Sequence, residues 1–138
     1  MDNNLEIEPH SRERSRQVAE RAMEVAEGLQ ASDICLLDIS KVSDFANYFV
    51  VLTAESSRQM ESLIEDIEQE IEGMGMRRHH IEGSHKSGWV LLDFGDAIIH
   101  MFGVEEREFY GLEQAWVEMD AVEVYRYIDE TTEVAIIP

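Results

Sequence analysis

The residues of this chain with chemistry to offer are Asp38, Asp93 and Asp96, the histidines His79, His80, His85 and His100, and the single Cys35. Strand-borne carboxylates such as the three aspartates can clamp two magnesium ions for nucleotidyl or phosphoryl transfer. That chemistry also needs glycines that cradle phosphate at the start of a helix. Gly73-Met-Gly75 instead follows a helical stretch, so its geometry is wrong for phosphate. Asp93-Phe94-Gly95 matches the magnesium-binding tripeptide of protein kinases, but the glycine-rich loop, the strand lysine and the catalytic loop that give it meaning are missing. His79 and His80 are adjacent and would point to opposite faces of a strand, which prevents them from sharing one ion. His100 lies two residues from both Ile98 and Phe102 and shares their face, the pattern of a packed, hydrogen-bonded histidine. Cys35, between Ile34 and Leu36, reads as a small buried hydrophobe; a reactive thiolate needs electropositive surroundings. One cysteine excludes a disulfide framework or a zinc finger within the chain. No catalytic residue, no metal and no cofactor is expected.

What remains is recognition. Both tryptophans and many of the other aromatics fall within residues 89–116, in a chain only 8% aromatic. In the strand that starts at Trp89, alternation puts Val90, Leu92 and Phe94 on one face and Trp89, Leu91 and Asp93 on the other. The first set is uniformly apolar and is expected to face the core. The second, a tryptophan, an aliphatic and a carboxylate in a row, has the composition of an interface hot spot. An alternative stays open: a terminal helix covers that face, with Trp89 buried under Tyr110 or Trp116.

Those residues need elements to position them. Val18, Ala22, Val25, Ala26 and Leu29 recur at helical spacing and predict a helix over about 11–28, with Gly28 at its end. Residues 33–39 and 48–53 read as strands, the second buried on both faces because its content is continuously β-branched and aromatic. Ser56 or Ser57 caps a second helix, whose apolar stripe is Met60, Leu63, Ile64, Ile67 and Ile71. A polar, edge-type strand over 76–81, a strand over 89–94, a Gly95-Asp96 turn and a strand over 97–102 follow. Glu105 and Glu106 open a terminal helical region. The fold class expected is α+β: a single two-layer domain, with a mixed, roughly five-stranded sheet packed with helices.

The 138 residues suit one domain, and a hydrophobic fraction of 44% is enough for a core. No apolar run approaches the roughly 18–20 residues needed to span a bilayer. The acidic, polar start is wrong for a secretory or transit peptide, so a soluble cytoplasmic protein is expected, with no membrane partner. Thirty acidic against eleven basic groups give a net charge of −19, with only two lysines, Lys41 and Lys86. A field of that sign repels nucleic-acid phosphate and favours a basic partner surface. Acid-rich, lysine-poor surfaces also suit a saline cytoplasm, where charge repulsion is screened.

Trp89-Val-Leu-Leu-Asp-Phe-Gly-Asp96, Ile99-His-Met-Phe102 and Arg107-Glu-Phe-Tyr-Gly-Leu-Glu113 with Trp116 closely resemble the ribosomal silencing factor family, also called RsfS or Iojap. Upstream, Ala31-Ser-Asp-Ile34, Leu37-Asp38, Val42-Ser-Asp-Phe-Ala-Asn-Tyr-Phe49, Ser57-Arg-Gln59 and Ile81-Glu-Gly83 fall in the same order, so the resemblance covers about residues 15–117. It implies a bacterial or organellar translation regulator that binds the large ribosomal subunit through its ribosomal protein number fourteen. Such a factor sterically blocks joining of the small subunit when nutrients are short. It also implies a nucleotidyltransferase-like fold without the catalytic groups, no sequence-specific nucleic-acid contact, and a homodimer in some free members. Carried onto this chain, the contact residues implied are Trp89, Leu91, Asp93, Asp96, Tyr110, Leu112 and Trp116, with Asp44 and Tyr48 beside them. The rival reading is a small nucleotidyltransferase-like, metal-dependent phosphotransfer enzyme using Asp38, Asp93 and Asp96. The expected organisation is a polar lead over 1–10, the silencing-factor domain over 11–117 and a C-terminal extension over 118–138. That extension departs from the family pattern. Val122, Val124, Tyr125, Tyr127 and Ile128, then Val134 to Ile137, are too apolar for simple disorder. It is expected to add a strand, cover the sheet face or swap between protomers.

Overall fold

The helical periodicity that begins at Val18 winds into α1 (Arg12–Gly28), which buries Val18, Ala19, Ala22, Met23 and Ala26. The computed structural model describes residues 12–119, 121–128 and 133–136, with 127–128 and 133–136 as backbone; the polar lead over 1–10 and Ile137 lie outside the described residues. α1 does not end on a left-handed glycine. The left-handed residue is Gln30 (φ 66°), and the amides of Gln30 and Ala31 close onto the carbonyls of Glu27 and Ala26 at 2.9 and 3.0 Å. This double closure satisfies the carbonyls a helix end leaves open, so Gly28 has no special role there.

β1 (Ser32–Asp38) and β2 (Tyr48–Thr53) pair antiparallel, and all six residues of β2 are buried. α2 (Ser57–Gly73) starts at an N-cap Ser56, whose hydroxyl accepts from the Gln59 amide at 3.0 Å. Gln59 reaches back in turn: its Oε1 accepts from the Glu55 amide at 2.7 Å, and its Nε2 donates to the Leu29 and Gln30 carbonyls at 2.9 and 3.0 Å. One glutamine therefore completes the start of α2 and ties it to the end of α1. Met60, Leu63, Ile67 and Ile71 form the buried stripe of α2.

The polar strand expected over 76–81 shortens to β3 (His80–Glu82), which pairs with β4 (Trp89–Asp93). The tight connection to β5 (Ala97–Phe102) uses Gly95 at φ 93°, a conformation a side chain would strain. Two short helices follow, α3 (Val104–Tyr110) and α4 (Leu112–Val117), broken at the left-handed Gly111 (φ 57°). The extension supplies β6 (Glu123–Ile128) and β7 (Glu133–Ile136). Among the described residues the sheet order is β3-β4-β5-β2-β1-β6-β7, and only β2 and β5 run parallel.

The mixed α+β sheet with packed helices is thus present, with seven strands because the extension adds two beyond β1. Among the described residues the extension adds to the sheet and does not fold back over Trp89, since β6 hydrogen-bonds to β1, which is three places from β4 in the strand order. α1 and α2 cover one face, over Leu36, Val50, Leu52, Val90, Leu92 and Ile99. The opposite face carries a second cluster of Cys35, Leu37, Phe49, Val51, Ile98 and Phe102, with Trp89, Leu91, Leu112 and Trp116 half-buried against it.

A candidate recognition face

The register between strands builds this second face column by column. Trp89 stands opposite Phe102, Leu91 opposite His100, and Asp93 opposite Ile98. Across the parallel pair, Phe49 meets Ile98 and Val51 meets His100. The alternation read from the sequence holds here: Val90, Leu92 and Phe94 are buried, the first two beneath α1 and α2, while Trp89, Leu91 and Asp93 are on the other side and half-exposed.

Aromatic rings join this face into one network. Trp89 stacks on Phe102 at 4.9 Å and meets Tyr110 of α3 at 4.6 Å. Trp116 of α4 stands edge-on to Phe49 at 5.2 Å and to Phe45 at 6.2 Å. Both arrangements fall within the range where ring quadrupoles attract. The terminal helices therefore cover the face only in part, an outcome between the two alternatives the sequence leaves open. Among the described residues the exposed large apolar side chains are Val42, Phe45, Val104, Phe109, Tyr110, Val117 and Met119, all in the β1–β2 loop or the segment from α3 to just past α4. Phe109 is 80% exposed, Phe45 58% and Tyr110 48%. None of the set lies on α1 or α2.

Phe45 is held outward by a local turn, in which the Ser43 hydroxyl accepts from the amides of Phe45 and Ala46 at 3.1 and 3.3 Å. The same loop is tied to the β4–β5 turn, because the Asp96 carbonyl accepts from the Asn47 and Tyr48 amides at 2.8 and 3.0 Å. This brings the exposed Asp44 to the end of the sheet that also carries Asp93 and Asp96. Asp93 is used locally, its Oδ1 accepting from the Gly95 amide at 2.7 Å.

α3 and α4 are fastened by Arg107. Its guanidinium bonds to Glu113 of α4 at 2.6 Å, to the Asp33 carbonyl at 2.6 Å and to the Thr53 hydroxyl at 2.8 Å. Arg107 and Glu113 keep only 11% and 18% of their side-chain exposure, and Arg126 of β6 approaches Glu113 from the other side at 3.6 Å. A cleft of about 570 Å³ opens beside this clamp, between α3–α4 and the β1–β6 edge.

The groups that could have done chemistry are placed otherwise. Asp38 faces α1, in register with Tyr48, and bonds to Arg12 and to the Ser40 hydroxyl at 2.9 and 2.7 Å. Burial pushes its pKa up, but Ser40 and Arg12 outweigh that and hold the carboxyl below its usual range. Asp93 lies on the opposite side of the sheet, so Asp38, Asp93 and Asp96 do not converge on one ion, as the enzyme reading requires. No group of three or more potential metal ligands occurs among the described residues. Cys35 is fully buried, and burial, reinforced by Glu113, pushes its thiol up to about 11 despite Arg107 and Arg126. His100 is packed and hydrogen-bonded, and burial pushes its pKa down to about 3.

One site residue must be corrected. Tyr48 is 3% exposed and belongs to the helix-side core, with Arg16 over its ring at 5.6 Å, so it has no surface to give a partner. It sits in the same motif as Asp44 but has the opposite strand parity to Phe49. Conversely, Phe45 and Phe109 belong to this face although the sequence reading did not select them. Their signal was present in the same motifs, beside Asp44 and Tyr110. Arg107 was also passed over, because two of its partners, Asp33 and Thr53, are far away in sequence.

No helix among the described residues is long and apolar enough to cross a membrane. The family model described as "Ribosomal silencing factor during starvation" matches residues 12–135. A ribosomal silencing factor RsfS of Bacillus subtilis is 33% identical over 87 residues, spanning 63% of this chain and 74% of that protein. The Zea mays protein Iojap, chloroplastic, is 29% identical over 102 residues, covering 72% of this chain and 43% of its own length. A mouse protein named mitochondrial assembly of ribosomal large subunit protein 1 is 29% identical over 89 residues, covering 62% of this chain and 39% of its own length. Among solved structures, a Chromobacterium violaceum protein superposes with a TM-score of 0.70 at 29% identity, over 76% of this chain and 88% of that one. A Bacillus halodurans protein does so with a TM-score of 0.62 at 26% identity, over 73% and 91%. On this match, which runs from the start of α1 to the last described strand, the chain belongs to the ribosomal silencing factor family.

Proposed function

We propose that this protein binds the large ribosomal subunit through ribosomal protein number fourteen and blocks the small subunit by occupying the surface it needs. It acts in the cytoplasm, when nutrients are short, and by occupancy alone, without catalysis. The observation that carries this reading is the confinement of the exposed large apolar side chains, among the described residues, to the β1–β2 loop and the segment from α3 to just past α4, where Phe45 meets Trp116 and Tyr110 meets Trp89. Patches of that kind, edged by charge, mark protein contacts. Trp89, Leu91, Tyr110, Leu112 and Trp116 form the proposed contact together with Phe45 and Phe109. Asp44, Asp93 and Asp96 meet lysine and arginine side chains of the partner. The net charge of −19 supports a basic partner and disfavours direct binding to ribosomal RNA.

The test is co-sedimentation of the purified protein with purified large subunits at low and at high salt, followed by addition of small subunits. Binding that weakens with salt, together with fewer joined ribosomes, is expected. Phe109→Ala and Tyr110→Ala are expected to weaken binding by about tenfold or more, the scale of an interface hot spot. Failure of the wild-type chain to bind at either salt concentration would remove the reading.

A further inference from the structure

Trp89 sits at the centre of the proposed contact, and its indole is not merely packed there. Its Nε1–H donates at 3.3 Å to Nδ1 of His100, its diagonal neighbour on β5 and the partner of Leu91 in the register. Phe102 lies under one ring face at 4.9 Å and Tyr110 flanks the indole at 4.6 Å. Stacking alone leaves a tryptophan two roughly equivalent χ2 settings, related by turning the ring over. Only one of them points Nε1 at His100.

The histidine gains little from this position for itself. With Nδ1 accepting, its proton must be on Nε2. That nitrogen is buried and finds no hydrogen-bond acceptor among the described residues. The ring meets Phe49 edge-on at 4.5 Å, a weak substitute for an acceptor. A leucine of similar size would fill the same space, between Ile98 and Phe102, without the buried, unpaired Nε2–H of the histidine. What a histidine supplies there and a leucine does not is an acceptor for Trp89.

We propose that His100 is a positioning residue of the recognition face: its Nδ1 selects the orientation of the Trp89 indole and presets it for the ribosomal partner. This rests on the proposed large-subunit contact and adds how that contact is preorganised, since a side chain already held in its bound orientation loses less freedom on binding.

Two arms test it on the full chain. In the first, nitrogen NMR of the free protein, with Trp116 assigned through Trp116→Phe, is expected to show His100 protonated on Nε2 and a slowly exchanging Trp89 indole proton. A proton on Nδ1 overturns the proposal. In the second, large-subunit binding is compared among His100→Leu, His100→Asn and His100→Gln. Asparagine puts an amide oxygen near the place of Nδ1, whereas glutamine reaches the place of Nε2. His100→Leu is expected to melt at or above the wild-type temperature yet bind about fivefold or more weakly, the worth of one neutral hydrogen bond. His100→Asn is expected to recover most of the binding and His100→Gln to recover none. Wild-type affinity in His100→Leu overturns the proposal; if that variant does not fold, equal affinity of the asparagine and glutamine variants does so. If the wild-type chain itself binds no large subunits, the functional reading fails, and the first arm still decides whether His100 sets the indole.

Discussion

The two faces of the sheet are built from the same strands but finished differently. On one, α1 and α2, each of 17 residues, lay continuous apolar stripes over the strands and close them off from water. On the other, α3 and α4, of 7 and 6 residues, bury none of their own residues fully and leave aromatic rings half in solvent. Fully burying a leucine or isoleucine side chain contributes about 1.5–3 kcal/mol, so the closed face supplies most of the stability. The open face gives up part of that in exchange for accessible surface. The comparison teaches that a family member can keep a rigid sheet while holding one side unfinished.

That comparison can be broken by experiment. The largest effect is expected on the closed face, where Leu63→Ala should cost about 2–5 kcal/mol in urea unfolding, because a buried cavity replaces the side chain. Affinity of the folded fraction for large subunits should not change. A small cost would mean that α2 is not the main support of the sheet.

Next comes the clamp that holds the partial cover. Arg107→Met leaves a largely desolvated Glu113 with Arg126 at 3.6 Å and the weakly donating Cys35 thiol at 4.0 Å, and is expected to cost about 2–3 kcal/mol. Hydrogen exchange should rise over residues 104–117 and stay unchanged in α1 and α2. An even rise over the whole chain would contradict the division into two faces.

Acid sharpens the comparison through His100. Its pKa is about 3 in the folded chain against the usual 6.5, so between these values the unfolded chain binds the additional proton. This contribution is complete above pH 6.5 and is lost as pH falls toward 3, by about 1.4 kcal/mol per pH unit. Asp38, whose carboxyl is also held low, adds its own acid loss on the closed face. Unfolding of wild type and His100→Leu across pH 4–7 should differ by the histidine slope alone; parallel curves would show that His100 titrates normally.

The smallest effect on stability belongs to the exposed rings. Phe109→Ser is expected to shift unfolding by less than about 0.5 kcal/mol while weakening large-subunit binding. A large loss of stability would move Phe109 from the proposed contact into the structure.

Much of the fold was legible because its signals are local. The stripe on α2, the buried run of β2 and the alternation from Trp89 to Phe94 each follow from side-chain period and from nothing distant. The site was legible only in part. Tyr48 and Asp44 belong to one motif, yet one is locked beneath Arg16 and the other is exposed, a difference made by strand parity and by the packing of α1. Arg107 reads as one more surface cation until α3 brings it to Thr53, Asp33 and Glu113. The apolar tail after residue 118 could have covered the open face; its β6 pairs with β1 instead and extends that face through Val124.

By itself the sequence determined which segments coil or extend, which side of each strand is apolar, the acidic character of the molecule and, through its motifs, its family. The tertiary structure alone decided how far the second apolar sheet face would be covered, and by what. Side-chain period says that a face is apolar but not what will cover it, and the cover comes from helices and strands joined to it only through long-range contact. The same holds for Trp89 and His100. Their types were plain in the sequence, but the hydrogen bond between them exists only because β4 and β5 pair in this register.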